Sequence, residues 1–297
     1  MGVDWVALSF VQTAENIKEL KDIVGNKSLI MAKIEKPSGV KNLKEILNVV
    51  DGIMIARGDL GVELPPERVP AIQKNIIQQC REAGKPVVVA TQMLESMINN
   101  NTPTRAEASD VANAIYDGAD AVMLSAESAI GKYPSETVMI MNRIIESVEN
   151  DKENFDLEMH HNEKISKKSI NTTDAITSAA YTIARNAGAK ALVTFSVSGK
   201  TTIRMARERA PVLVIGLSPN IDTARKMQLV WGVHSCHTAQ DAKNTTEMVS
   251  IACKIIKEKD LAKPGDSIVI TAGVPFGNAG STNLLRIAKI IDDDDLT

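Results

Sequence analysis

Leu29-Ile-Met-Ala-Lys33-Ile-Glu35 and Gly52-Ile-Met-Ile-Ala-Arg57-Gly58-Asp59-Leu60-Gly61 are two short apolar runs that each end in charged groups. Runs this apolar read as parallel strands covered on both faces. An α/β barrel presents its chemistry at the C-terminal ends of such strands, where Lys33, Glu35 and Asp59 fall. Three more runs of the same kind flank them, at Trp5–Phe10, Pro86–Ala90 and Ala121–Leu124.

Between the runs lie segments with helical spacing. Ile17, Leu20 and Val24 form one stripe; Leu43, Ile46, Leu47 and Val50 a second; Ile72, Ile76, Ile77 and Cys80 a third; Val111, Ala112 and Ile115 a fourth. Thr104-Arg-Ala-Glu107 opens the fourth as a capping box. A long helix is predicted over Pro134–Asn150 with Val138, Met141, Ile145 and Val148 on one face. Met93, Met97, Met123, Met139 and Met141 read as core filler. The expected fold is α/β: an incomplete (β/α)8 TIM-type barrel of about five βα units over 1–150, a polar linker over 151–171, and a smaller α/β domain over 172–297. In the last, helices around 173–186, 201–209, 222–229 and 247–259 alternate with strands around 191–194, 212–216, 233–236 and 267–272, and Asp292–Asp295 forms an acidic tail.

The bulk properties exclude several classes. A net charge of -3 and only 3% aromatic residues give no attraction to nucleic acid and no base-stacking platform. No apolar run approaches the roughly 20 residues of a spanning helix, and Met1-Gly2-Val3-Asp4 lacks a signal-peptide pattern, so a cytoplasmic protein without membrane partners is expected. Cys80, Cys236 and Cys253 form no CxxC pair and read as inert thiols; His160-His161 and His234 with His237 read as surface.

Two carboxylates and a lysine suit a divalent cation beside a phosphoryl group. Magnesium is commonly held by one or two carboxylates plus substrate oxygens, which fits Glu35 and Asp59. Lys33 and Glu35, two positions apart on a strand, face the same side. A fixed ammonium there offsets charge developing on a transferring phosphoryl group or an enolate. Gly58 lets backbone N–H groups approach a carboxylate or phosphate, and Thr91 and Ser125 supply hydroxyls at the next two strand ends. Neither a G-x-G-x-x-G fingerprint nor a Walker A motif is present.

Six blocks in order resemble the signatures of the pyruvate kinase family: Met31-Ala-Lys-Ile-Glu-Lys36, Asp51-Gly-Ile-Met-Ile-Ala-Arg-Gly-Asp-Leu-Gly-Val-Glu63, Ala90-Thr-Gln-Met-Leu-Glu-Ser-Met97, Pro103-Thr-Arg-Ala-Glu107, Asp110-Val-Ala-Asn113 and Met123-Leu-Ser-Ala-Glu127. The resemblance covers essentially the whole chain. It implies that Lys33 stabilises the phosphoryl-transfer transition state, that Glu35 and Asp59 bind Mg²⁺ or Mn²⁺, and that Gly58, Asp59 and Thr91 contact phosphoenolpyruvate or pyruvate. Thr91 and Ser125 would lie on the route by which the enolate is protonated, with ADP and ATP as the other substrate and product. Thr194-Phe-Ser196-Val-Ser198-Gly199-Lys200-Thr201-Thr202 resembles the effector-phosphate loop of the regulatory domain, with the glycine-rich Gly273–Thr282 as its other wall.

The resemblance starts at Met1 with the family's fourth barrel strand. The first three strands and the lid domain, with the K⁺ ligands and much of the nucleotide contact, are not in this sequence. The chain alone is therefore expected to have negligible activity, and to assemble either as a homo-oligomer, tetrameric in the family, or with a separate chain carrying the missing part. A catalytically dead remnant that binds a phosphorylated metabolite or partner is the alternative; an aldolase or lyase acting on pyruvate enolate in a similar barrel fits the second domain and the ordered blocks poorly.

Overall fold

The structure, a computed structural model, describes residues 2–151, 171–276 and 282–290. Most of the expected linker, His160-His161, residues 277–281 of the glycine-rich stretch and the acidic run Asp292–Asp295 lie outside the described residues. The chain divides into two units, Met1–Ser166 and Lys167–Thr297.

In the first unit, strands β1 (Trp5–Leu8), β2 (Leu29–Ile34), β3 (Gly52–Ala56), β4 (Val87–Ala90) and β5 (Ala121–Met123) form one sheet in chain order, every pair parallel. Helices α1 (Ala14–Val24), α2 (Pro37–Lys41), α3 (Leu43–Val49), α4 (Arg57–Glu63), α5 (Val69–Ala83) and α6 (Arg105–Tyr116) make the connections. After β5 come α7 (Ala126–Ala129) and α8 (Pro134–Asn150). The sheet is an open arc; among the described residues β1 and β5 each have one unpaired edge.

Strand parity sorts the side chains. Ile30, Ala32 and Ile34 on β2, Ile53 and Ile55 on β3, and Val87 and Val89 on β4 join Ile17, Leu43, Ile46, Ile76 and Ile77 of the helices in the main core. The opposite parity carries Met31 and Lys33, and in register Lys33 lies beside Met54, which lies beside Val88. β3 is buried at every position, as a strand covered on both faces must be.

Three details depart from the periodicity. Val138 and Met139 are exposed; the inner face of α8 keeps Met141, Ile145 and Val148, but at its N-terminal end Thr137 takes the buried place expected of Val138. On α6 the buried set is Val111, Ala114 and Ile115, with Ala112 only partly covered. The third is α4, which starts directly at Arg57 although Gly58, Asp59 and Gly61 are poor helix formers. Tertiary contacts override propensity there, because the Gly58 N–H donates to Thr91 Oγ1 at 2.7 Å.

The capping box of α6 forms as read. Thr104 N–H donates to Glu107 Oε2 at 2.7 Å and Glu107 N–H to Thr104 Oγ1 at 3.2 Å. Glu107 also accepts from Ser96 N–H and Ser96 Oγ, tying α6 to the preceding 3-10 turn. Partial burial acts to raise this carboxyl's pKa, but the Ser96 and Thr104 hydrogen bonds outweigh it and hold the pKa below the usual range. A depressed folded pKa stabilises above the unfolded value, near 4.3, and that contribution fades as pH falls through the folded one. Glu107→Gln should therefore lose about 1 kcal/mol at neutral pH and progressively less below about pH 4, read by urea denaturation across pH. A pH-independent difference would contradict this.

The second unit is an α/β sheet of β6 (Ala191–Phe195), β7 (Leu213–Ser218), β8 (Val233–His237), β9 (Ser267–Gly273) and β10 (Thr282–Lys289), in spatial order β10-β9-β6-β7-β8. Only β10 runs antiparallel. Its helices are α9 (Thr172–Asn186), α10 (Lys200–Arg207), α11 (Ile221–Lys226) and α12 (Thr245–Glu258). Ala191, Val193, Phe195, Ile215, Ile268 and Ile270 pack with Met248, Ala252 and Ile256 of α12 on one face. Leu192, Val214 and Val269 pack with Ala180, Tyr181 and Ala184 of α9 on the other. All three cysteines are buried, and burial pushes each thiol pKa up, as expected of inert thiols.

Candidate functional site

Parallel pairing places the C-terminal ends of β2 and β3 side by side, with Ile34 beside Ile55. Glu35 follows β2 immediately and shares the parity of Lys33. Lys33 Nζ lies 2.7 Å from Glu35 Oε1 and donates to Ser9 Oγ at 3.1 Å. The pair is asymmetric: the Glu35 side chain is 1% exposed and that of Lys33 25%. Glu35 Oε2 accepts the Phe10 N–H, while Oε1 accepts no aligned hydrogen bond although it is buried. An anionic oxygen with unused lone pairs, buried beside one cation, fits a second cationic partner.

Asp59 is exposed in the first turn of α4, at the end of the neighbouring strand. Among the described residues no group of three or more His, Cys, Asp or Glu is arranged for a metal. Two carboxylates with room for water and substrate oxygens are a donor set suited to Mg²⁺ and poor for Zn²⁺, whose structural sites are closed by four protein ligands. Lys36 on the β2 side also pairs with Glu63 at the far end of α4, at 2.5 Å.

Thr91 and Gln92 follow β4 with φ of +68° and +54°. Thr91 Oγ1 accepts from Gly58 N–H and donates to Ala90 O at 2.6 Å, so its hydroxyl has a defined orientation. Phe10, after β1, is likewise left-handed with φ of +55°, and its exposed ring lies 5.5 Å from Lys36 Nζ. Positive φ at a bulky non-glycine residue is strained, and here it gathers at strand ends. Ser125 follows β5, and its N–H donates to Glu127 Oε2 at 2.8 Å. The structure thus brings Lys33 and Glu35 into contact, and Gly58 and Thr91 into contact.

Two participants were not legible as such. Arg57, uninformative as part of a lone Arg-Gly-Asp, is the most connected side chain at these strand ends: it reaches Asp110, Gln73 and the Thr91 and Gln92 carbonyls. Glu127 is buried and accepts from Leu94 N–H as well as Ser125 N–H. The signal available for both was their place inside the sequence blocks, directly before Gly58 and just after Ser125.

In the second unit, β6 leads into β7 on one side while β9 pairs on its other side. The crevice at the β6 and β9 C-termini is a topological switch point, where open α/β sheets bind ligands. The loop after β6 enters α10 through Gly199, whose φ of +77° suits glycine. Ser198 and Lys200 are exposed there, whereas Ser196 is buried. Thr194 and Thr202 are buried and share a hydroxyl contact of 2.7 Å, and Thr201 meets Thr282 of β10 at 2.6 Å. Those four threonine hydroxyls therefore hold the loop's base together.

An open parallel sheet with ion pair, carboxylates and hydroxyls at its C-terminal strand ends, followed by a doubly covered α/β domain, defines an α/β protein built on barrel-type βα units. Two family models match in chain order: "Pyruvate kinase, barrel domain" over residues 1–138 and "Pyruvate kinase, alpha/beta domain" over residues 174–288. A pyruvate kinase of Methylorubrum extorquens is 48% identical over 289 residues, covering 97% of this chain and 60% of the relative. One of Agrobacterium vitis is 47% identical over 300 residues, with 100% and 61% covered, and one of Geobacillus stearothermophilus 46% identical over 295 residues, with 98% and 50% covered. The chain belongs to the pyruvate kinase family, and it spans between half and about three fifths of the length of these relatives.

Proposed function

We propose that this chain carries the cation-binding and transition-state half of a centre that transfers the phosphoryl group of phosphoenolpyruvate to ADP, giving pyruvate and ATP. The observation that carries the reading is the buried Glu35 carboxylate, whose Oε1 lies against Lys33 but accepts no aligned hydrogen bond and so keeps lone pairs for a cation, on the strand beside the one that leads to Asp59. Glu35 and Asp59 would hold Mg²⁺ or Mn²⁺, which when bound neutralises charge on the phosphoryl oxygens. Lys33 places a fixed ammonium where negative charge develops, first on the transferring group and then on the enolate oxygen. Gly58, at the start of α4, offers close backbone approach to the substrate carboxylate. Thr91 orients that segment through its bond to Gly58 N–H, and Thr91 and Ser125 border the path by which the enolate carbon gains its proton. K⁺ belongs to the family reaction and is expected as a further requirement. The setting is glycolysis in the cytoplasm; among the described residues no helix is long and apolar enough to cross a membrane.

The five-stranded arc is not a closed barrel, and an eight-stranded wall is what surrounds such a site with groups from every side. The purified 297-residue chain is expected to give negligible turnover in a lactate dehydrogenase-coupled assay with phosphoenolpyruvate, ADP, Mg²⁺ and K⁺. Fusion behind the N-terminal part of the Geobacillus stearothermophilus relative should restore turnover, and Lys33→Met in the fusion should remove it. A folded fusion without turnover would refute the proposed activity; substantial turnover by the chain alone would refute the need for completion. At the second unit's switch point, Ser198 and Lys200 form the accessible lip for a phosphorylated effector, joined by the buried turn at Gly199, over a base built by Thr194, Ser196, Thr201 and Thr202.

A further inference from the structure

We infer that Arg57 is a positioning residue: it holds Thr91 and Gln92 in the left-handed conformation that sets Thr91 Oγ1 against Gly58 N–H. Two consecutive non-glycine residues at positive φ, one of them β-branched, do not hold that geometry unaided. The Arg57 guanidinium supplies the restraint. Its Nη2 donates to the Thr91 carbonyl at 2.9 Å and the Gln92 carbonyl at 3.1 Å, and lies 2.9 Å from Met93 Sδ. Its Nη1 is anchored by Asp110 Oδ1 at 2.6 Å and by Gln73 Oε1 at 3.4 Å, and the side chain is 10% exposed. Gln73 is braced in turn by Asp117 at 3.1 Å. Both turned carbonyls thus converge on one nitrogen of a planar fork, whose other nitrogen is tied to two helices of the scaffold, α5 and α6. A lysine ammonium has no such fork and cannot reproduce the arrangement.

The far end of the same segment is pinned with opposite polarity. Glu127 takes the Leu94 N–H at 3.3 Å and the Ser125 N–H at 2.8 Å, joining the loop after β4 to the loop after β5. Residues 91–94 are therefore clamped through their carbonyls by a cation and through an N–H by an anion. Arg57 itself sits one residue before Gly58, so the clamp also couples the start of α4 to the loop that α4 meets. The consequence for substrate binding, through Thr91, rests on the proposed function; the role of Arg57 in setting the loop does not.

The test uses the full chain and the variants Arg57→Lys, Arg57→Gln and, as a milder change that keeps the arginine, Asp110→Asn. Backbone couplings and Cα and Cβ shifts of Thr91 and Gln92 report φ, electron paramagnetic resonance reports Mn²⁺ affinity, and water-proton relaxation reports pyruvate binding to the Mn²⁺-loaded chain. Both residues should leave positive φ in Arg57→Lys and Arg57→Gln and move part of the way in Asp110→Asn. Pyruvate binding should weaken about tenfold in Arg57→Lys while Mn²⁺ affinity stays unchanged, a split that general destabilisation would not produce. Retention of positive φ in the variants overturns the inference, as does relaxed φ with unaltered pyruvate binding. If the wild-type chain takes up no pyruvate, the functional reading of the site fails, and the φ measurements alone decide whether Arg57 sets the loop.

Discussion

Lys33→Met should destabilise the first unit by about 3 kcal/mol, more than Glu35→Gln does, and added Mn²⁺ should recover part of the loss. The asymmetry follows from burial. Glu35 is 1% exposed on its side chain, so removing Lys33 leaves a dry carboxylate without its counter-charge. Lys33 is a quarter exposed, so removing the Glu35 charge leaves an ammonium that can turn to water; the cost there is about 1 to 2 kcal/mol, because the amide keeps one oxygen for the Phe10 N–H but sets its NH2 group where Oε1 faced Lys33. A divalent cation on Glu35 Oε1 replaces the missing positive charge, which is why Mn²⁺ should stabilise Lys33→Met more than it stabilises the wild type. Urea denaturation with and without millimolar Mn²⁺ measures all four terms. Equal cation effects on wild type and variant would remove Glu35 from the metal site.

Gly39→Ala, in the short helix α2, is expected to cost about 3 kcal/mol and to weaken Mn²⁺ binding from a distance. Intrinsic propensity argues the other way, since alanine in a helix is worth about 1 kcal/mol over glycine. Contact decides the sign. A Cβ at Gly39 would stand 2.5 Å from Val11 O, a backbone atom that no side-chain rotation can move aside. Val11 N–H is itself bonded to Lys33 O, and the residue before it is Phe10, whose N–H serves Glu35. Displacing this segment therefore disturbs the carboxylate's orientation. Thermal unfolding and Mn²⁺ titration of the variant check both parts; a stabilised protein with intact cation affinity would show that the segment yields without consequence.

The arrangement of the site also explains why so much strain is tolerated. Of the strand-end loops in the first unit, those after β1 and β4 contain left-handed non-glycine residues, and each is held by a buried charge: Phe10 by Glu35, and Thr91 with Gln92 by Arg57. Charge-assisted hydrogen bonds are about twice as strong as neutral ones, enough to offset a residue's backbone strain where water is excluded. Under the proposed function Glu35 would have two tasks, cation ligand and loop anchor, and its substitution will not separate them unless φ at Phe10 is measured alongside cation binding.

The sequence by itself determined nine of the ten described strands of the α/β plan, because apolar runs of four to seven residues between 3.6-periodic segments have few other ways to be buried; the antiparallel, partly exposed β10 was not placed by it. It also determined the identity of Lys33, Glu35, Gly58, Asp59, Thr91 and Ser125 as candidates, since strand ends can be counted along a chain. Tertiary structure alone decided which of them touch. Parallel register placed Glu35 beside the start of α4, and burial made Glu35 the deeper partner of Lys33. The clamp joins Arg57 to Thr91, 34 positions away, and is anchored by Gln73 and Asp110, 16 and 53 positions away, distances at which periodicity carries no information. In the second unit likewise, Thr201 meets Thr282 across a separation of 81 residues, so that what reads as a hydroxyl-rich phosphate loop is partly its own foundation. Spacing along a chain reports which face a side chain takes; only the packed sheet reports what stands opposite it.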